Sequence, residues 1–193
     1  MYSQINSNIS RYVTFDAEEL KIFNSLLEYK AVPKKTILLH EGEKCNFEAF
    51  VCKGCVRKYY IDTNGFEVIL QLAIENAWVS DISFSLYENK GSRVYIETLE
   101  DCEFFLFTPE TKEELFAKVP KFERAFRILM QRSLAVTQER LFQTIAKTAT
   151  EKYVEFIDQY PTLSQRVAQH YIASYLGISA EFLSKIRTKI AKY

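Results

Sequence analysis

The sequence predicts an α+β chain, and three observations predict it. From about Ala31 to Phe107 the chain is a run of short apolar or alternating segments. Four of its five glycines, Gly42, Gly54, Gly65 and Gly91, fall between those segments. On both sides the apolar residues instead recur at helical spacing. Short strands with turn signals at intervals of about 8–12 residues suggest an antiparallel sandwich or small barrel.

The elements follow in order. Asp16 and Glu19 have the spacing of a capping pair, and Leu20, Phe23, Leu26 and Leu27 form an apolar stripe. A helix is therefore expected over 16–29. The strand segments are 36–39, 48–52, 56–61, 67–72, 94–99 and 103–107. Asn64-Gly65 predicts a tight hairpin with both turn residues at φ > 0. Thr108-Pro109 reads as an N-cap followed by proline at the first helical position, opening a helix to Lys118. Pro120 then starts a long helix, free of glycine and proline from Phe122 to Ala146.

That helix carries two apolar stripes. One is Phe122, Phe126, Leu129 and Val136; the other is Met130, Leu134, Leu141 and Ile145. A surface helix needs one. Near-heptad spacing of the second suggests that one face packs on the barrel and the other on a partner's equivalent helix. Thr148 and Glu151 have capping-box spacing, so the long helix is expected to stop near Lys147. The domain boundary is placed there, giving 1–147 and 148–193. A helix over 149–159 follows, ended by Tyr160-Pro161.

Residues 169–191 have the form of a helix-turn-helix. Ala173 lets two helices cross closely, Gly177 permits a left-handed turn, and Ile178 plugs the space beneath it. Ser179 is the expected cap of the second helix, and Leu183, Ile186 and Ile190 its buried stripe. The opposite face holds Ala180, Glu181, Ser184, Lys185 and Thr188. A helix held by one stripe can enter the major groove with the other face. Lysine donates to guanine, and a carboxylate accepts from cytosine. Arg166, Arg187, Lys189 and Lys192 are candidates for phosphate contacts. From Ser164 to Tyr193 the basic residues at 166, 185, 187, 189 and 192 face one acid, Glu181, a net of +4. The DNA-binding set is therefore Ser179, Ala180, Glu181, Ser184, Lys185, Arg187, Thr188 and Lys189. A helical hairpin that contacts protein instead is the alternative.

With 25 basic and 25 acidic residues in the chain, a bulk polycation for nucleic acid is excluded. The longest apolar runs are four residues, Ala49 to Cys52 and Phe104 to Phe107, so no membrane helix is expected. The N-terminus lacks a secretory pattern, and the expected location is the cytoplasm. There the four cysteines are expected as thiols. Cys52-x-x-Cys55 flanks a turn, and no second pair at zinc spacing accompanies it; no metal site is expected. With one histidine in the barrel segment and no hydrolase, protease or phosphate-loop motif, catalysis is not expected. Trp78 reads as a buried anchor, with a lining of the effector pocket as the alternative.

The order of these parts resembles the Crp/Fnr family of bacterial transcription regulators. The resemblance runs from about residue 16 to the end and is most specific over Ile172 to Arg187. It implies a jelly-roll-like β-roll with flanking helices, dimerisation through helix 120–147, double-stranded DNA as partner and contact with RNA polymerase. The family's recognition helix opens Ser-Arg-Glu with a basic residue four positions after the Glu. Ser179, Glu181 and Lys185 match; Ala180 departs from the Arg, which implies different bases read. The family's roll often binds a cyclic nucleotide, and the positions it implies here are Asp81, Ser92, Arg93, Thr137 and Gln138. Yet Val79-Ser80-Asp81-Ile82 lacks the expected glycine, and Arg93 falls one residue late, which reverses a strand residue's face. Another effector, or none, is the expectation. The chain also ends directly after the second helix, so an all-helical DNA-binding domain lacking a full β wing is expected.

Overall fold

The computed structural model describes residues 1–81 and 90–190. Two helices come first, α1 (Ser3–Ile9) and α2 (Ala17–Ser25). Among the described residues eight strands follow: β1 (Glu28–Val32), β2 (Ile37–Leu39), β3 (Glu48–Lys53), β4 (Val56–Ile61), β5 (Glu67–Ala73), β6 (Trp78–Val79), β7 (Tyr95–Thr98) and β8 (Cys102–Phe107). The rest is helical: α3 (Pro109–Lys118), α4 (Lys121–Ala146), α5 (Ala149–Gln159), α6 (Leu163–Arg166), α7 (Gln169–Leu176) and α8 (Ala180–Ile190).

The strands form two four-stranded sheets, ordered β1-β8-β3-β6 and β2-β7-β4-β5, all paired antiparallel. Their facing sides close over Leu39, Ala49, Val51, Val56, Ala73, Val79, Val94, Ile96 and Phe104. This is the predicted β-roll. The outer side of the first sheet packs on α1–α4 through an aromatic core. There Phe122 stacks on Phe15 at 4.0 Å and on Phe23 at 4.8 Å between ring centroids.

Local signals explain the helix ends. Asp16, Thr108 and Thr148 each cap their helix, and Glu19, Thr111 and Glu151 each reach back to the cap's backbone amide. Three local readings need correction. Helix α2 stops at Ser25, because Glu28–Val32 pairs along β8 from Leu106 to Cys102. The β4–β5 turn has positive φ at Gly65 but not at Asn64. Its geometry is set by Asp62, whose carboxylate accepts the amides of Asn64 (2.8 Å) and Phe66 (2.9 Å) and is thereby held below its ordinary pKa. On α4, Val136 belongs by spacing to the stripe expected to pack on the barrel, yet it is 63% exposed.

The two ends of α4 differ sharply. Phe122, Ala125 and Phe126 are buried. From Met130 to Ala146 every residue except Arg140 and Gln143 is exposed. Leu134, Leu141, Phe142 and Ile145 stand 58–78% open. Past the turn at Lys147, α5–α8 pack around Tyr153, Phe156, Leu163, Ile172, Leu183 and Ile186. That core is continuous with Cys55, Tyr59, Ile69 and Leu72 on the outer side of the β2-β7-β4-β5 sheet. Among the described residues no helix is long and apolar enough to cross a membrane.

Candidate functional site

Helix α7 ends at Gly177, whose φ of 69° is left-handed. The amide of Ile178 returns to Ala173 O at 3.0 Å, closing the turn over a buried Ala173. The Ser179 hydroxyl accepts the Phe182 amide at 3.1 Å and starts α8. Leu183 and Ile186 then anchor α8 in the helical core. All eight predicted residues, Ser179, Ala180, Glu181, Ser184, Lys185, Arg187, Thr188 and Lys189, are exposed on this one helix and its cap. Ala180, Glu181, Ser184, Lys185 and Thr188 share a face by helical spacing. The Glu181 carboxyl is held below its usual range first by its own backbone amide, then by the Ser179 hydroxyl, with Lys185 contributing least. Phe182 is also exposed on α8 and was not singled out in the sequence.

Arg166 does not belong to this face. Its guanidinium binds Glu75 at 2.8–2.9 Å and Glu100 at 2.7–3.0 Å, both on the roll. The phosphate contact expected of it is therefore withdrawn. Lys192 lies outside the described residues.

The roll brings together two of the five residues implied for an effector. The buried Ser92 hydroxyl donates to Asp81 at 2.7 Å. It also accepts the Val94 amide at 3.0 Å. Ser92 and Val94 are buried while Arg93 between them is exposed, so the arginine lies on the side away from that pair. Thr137 and Gln138 lie on the exposed half of α4, where the Thr137 hydroxyl donates to Ser133 O at 2.9 Å. The inward cation is instead Lys58. It sits opposite the buried Ile96 and opposite Gln71, and its ammonium donates to Ser80 O at 3.2 Å. Burial pushes its pKa down, against the pull of Asp81. Arginine suits a cyclic phosphate through its bidentate geometry; among the described residues Arg93 is exposed, and Lys58 points inward.

The cysteines are free thiols; Cys45, Cys55 and Cys102 are buried and Cys52 is half-buried. Burial pushes Cys55 up to about 12 and Cys52 and Cys102 to about 11, from 9.0. At neutral pH they are protonated and poor nucleophiles. Iodoacetamide at pH 8 should label these three far more slowly in the folded chain than in urea; equal rates would contradict the packing. The same shifts favour folding fully below pH 9, and that contribution is lost as pH rises through 11–12.

Comparison with known proteins gives a consistent picture. Residues 29–119 match the Cyclic nucleotide-binding domain family. The Anaerobic regulatory protein of Haemophilus influenzae is 22% identical over 194 aligned residues, covering 93% of this chain and 73% of that protein. The structure of the c-di-GMP-responsive global regulator CLP of Xanthomonas campestris superposes with a TM-score of 0.72 at 18% identity, over 92% of each chain. A transcriptional regulator of the Crp/Fnr family from Eubacterium rectale gives 0.67 at 17% identity, over 92% of this chain and 84% of that one. These proteins are named as regulators.

Proposed function

This chain has the fold of the Crp/Fnr regulators, and on that premise we propose that it is a homodimeric, sequence-specific DNA-binding transcription regulator. Its proposed place is the cytoplasm. The observation that carries this reading is α8: an apolar stripe buried in a fixed core, with an exposed polar face that starts at a capped N-terminus. That is the arrangement a major-groove reader needs.

The roles follow from chemistry. Lys185 and Glu181 are the base-reading pair, with Ser184 and Thr188 beside them. Exposed Phe182 suits contact with a thymine methyl. Arg187 and Lys189 position the helix on phosphates. The apolar half of α4 supplies the dimer contact, and residues 1–147 and 148–193 are the two working units. RNA polymerase is the further partner that the family resemblance implies.

Selection from a randomised duplex pool tests the reading, and a near-palindrome with half-sites one helical turn, about 34 Å, apart is expected. On that site Lys185→Ala should cost about 1–3 kcal/mol and relax discrimination at one base position. Lys189→Ala should weaken binding to all sequences alike and reduce the salt slope by about one. Equal losses on cognate and random DNA for both variants would sink the assignment. Failure to enrich any duplex, with the dimer intact, would favour a protein partner for α8.

A further inference from the structure

The junction at Thr148 is one link between the roll and the helix-turn-helix, and the structure contains a second, broader one. We infer that α7 is latched onto the roll's β4–β5 hairpin, so that the roll sets the direction of α8 through this contact rather than through the junction alone. The inference goes beyond the DNA-reading role, and only its consequence for affinity rests on that role.

Three sets of bonds make the latch. At the margin of the sheet, the Ser174 hydroxyl accepts the Ile69 amide (3.0 Å) and donates to Glu67 O (2.9 Å). Arg140 on α4 donates to Leu70 O, to Ile69 O (3.1 Å) and to Tyr175 O (3.0 Å), with its guanidinium 4.0 Å from the Tyr175 ring centre. One cation thus ties the long helix, the roll and α7 together. Next, Arg57 is 4% exposed, sandwiched between Tyr59 of its own strand at 3.9 Å and Tyr171 of α7 at 4.3 Å. It is paired with Glu67 and with Glu97, the latter at 2.6–2.8 Å. A buried guanidinium is tolerated only when its charge and donors are met. Here α7 supplies the ring that keeps it dry. Finally, Arg166 of α6 takes both Glu75 and Glu100 of the roll.

The latch engages α6 and α7 and leaves the polar face of α8 open, so it does not silence the chain by covering that face. It fixes where that face points. Strand β4 also shows how the roll's interior could address it. Lys58 faces inward beside Ile96, and Arg57, the next residue, faces α7. A change in the interior that moves this strand moves the latch directly.

Hydrogen exchange on the full chain tests the latch without DNA. In Arg166→Gln, amides of α7 and of β5 should exchange roughly tenfold faster, the scale of losing a charge-assisted pair, while α1–α3 stay unchanged. Glu100→Gln approaches the same bond from the roll and should give the same pattern. Unchanged exchange in α7 and β5 in both variants, or uniform acceleration along the chain, would overturn the latch. On the selected duplex, Arg166→Gln should also lose about tenfold in affinity, whereas Lys185→Ala should lose affinity with exchange unaltered. Faster exchange in α7 with undiminished affinity would overturn the claim that the latch aims α8.

Discussion

A Leu134→Asp, Leu141→Asp double variant should be monomeric at concentrations where the parent is a dimer, and should lose about 10²- to 10⁴-fold in affinity for the selected palindrome. Both side chains are more than half exposed in the single chain, so their replacement removes no packing within it. In the proposed dimer they lie along the seam between two copies of α4, where a charge must be desolvated against its own symmetry mate. The affinity loss is the avidity of two recognition helices on one duplex reverting to the affinity of one. Sedimentation gives the mass and a titration gives the affinity. A dimer that survives both substitutions would remove α4 as the interface.

Phe122→Ala should destabilise the chain by about 3–5 kcal/mol, read as a lower urea midpoint at unchanged slope. The ring is fully buried and stacked between Phe15 and Phe23. It closes a cluster that also holds Ile5, Ile9, Phe50, Phe105 and Phe107. Truncation leaves a void among rigid rings that cannot collapse into it. Domains of this size are stable by about 5–15 kcal/mol, so the loss is a large share of the total. Phe122→Leu keeps most of the volume and should cost clearly less. A change below about 1 kcal/mol for the alanine variant would mean that α4 does not seat on the roll in this way.

What was legible in the sequence followed the range of its physics. Caps act over three residues, and Asp16, Thr108, Thr148 and Ser179 all cap as read. The strands from Val56 and Glu67 begin as expected, because alternation marks a half-buried strand locally. Helix α1 was not foreseen: Ile5 and Ile9 are its only strong signal, and Tyr2 makes no side-chain cap. Strand β6, two residues long, is too short for any period. On α8, composition located an exposed polar face because one helix carries it all. The latch was illegible for the opposite reason. Arg57 meets Glu67, Glu97 and Tyr171, and Arg166 meets Glu75 and Glu100, only after the β2-β7-β4-β5 sheet and the helical core have closed on each other. Arg166 was read as part of the basic face because only its neighbours in sequence were visible.

Strand β5 ends its sheet, yet backbone groups along it are occupied by Ser174 and Arg140 rather than by another strand. A helical region that let go would therefore do more than swing loose. It would leave bare ladder positions beside Tyr60, Ile61 and Phe66, which are already exposed. That is a template for intermolecular strand addition and polymerisation. The helical half thus doubles as a cover for the roll's open edge against other copies of the chain.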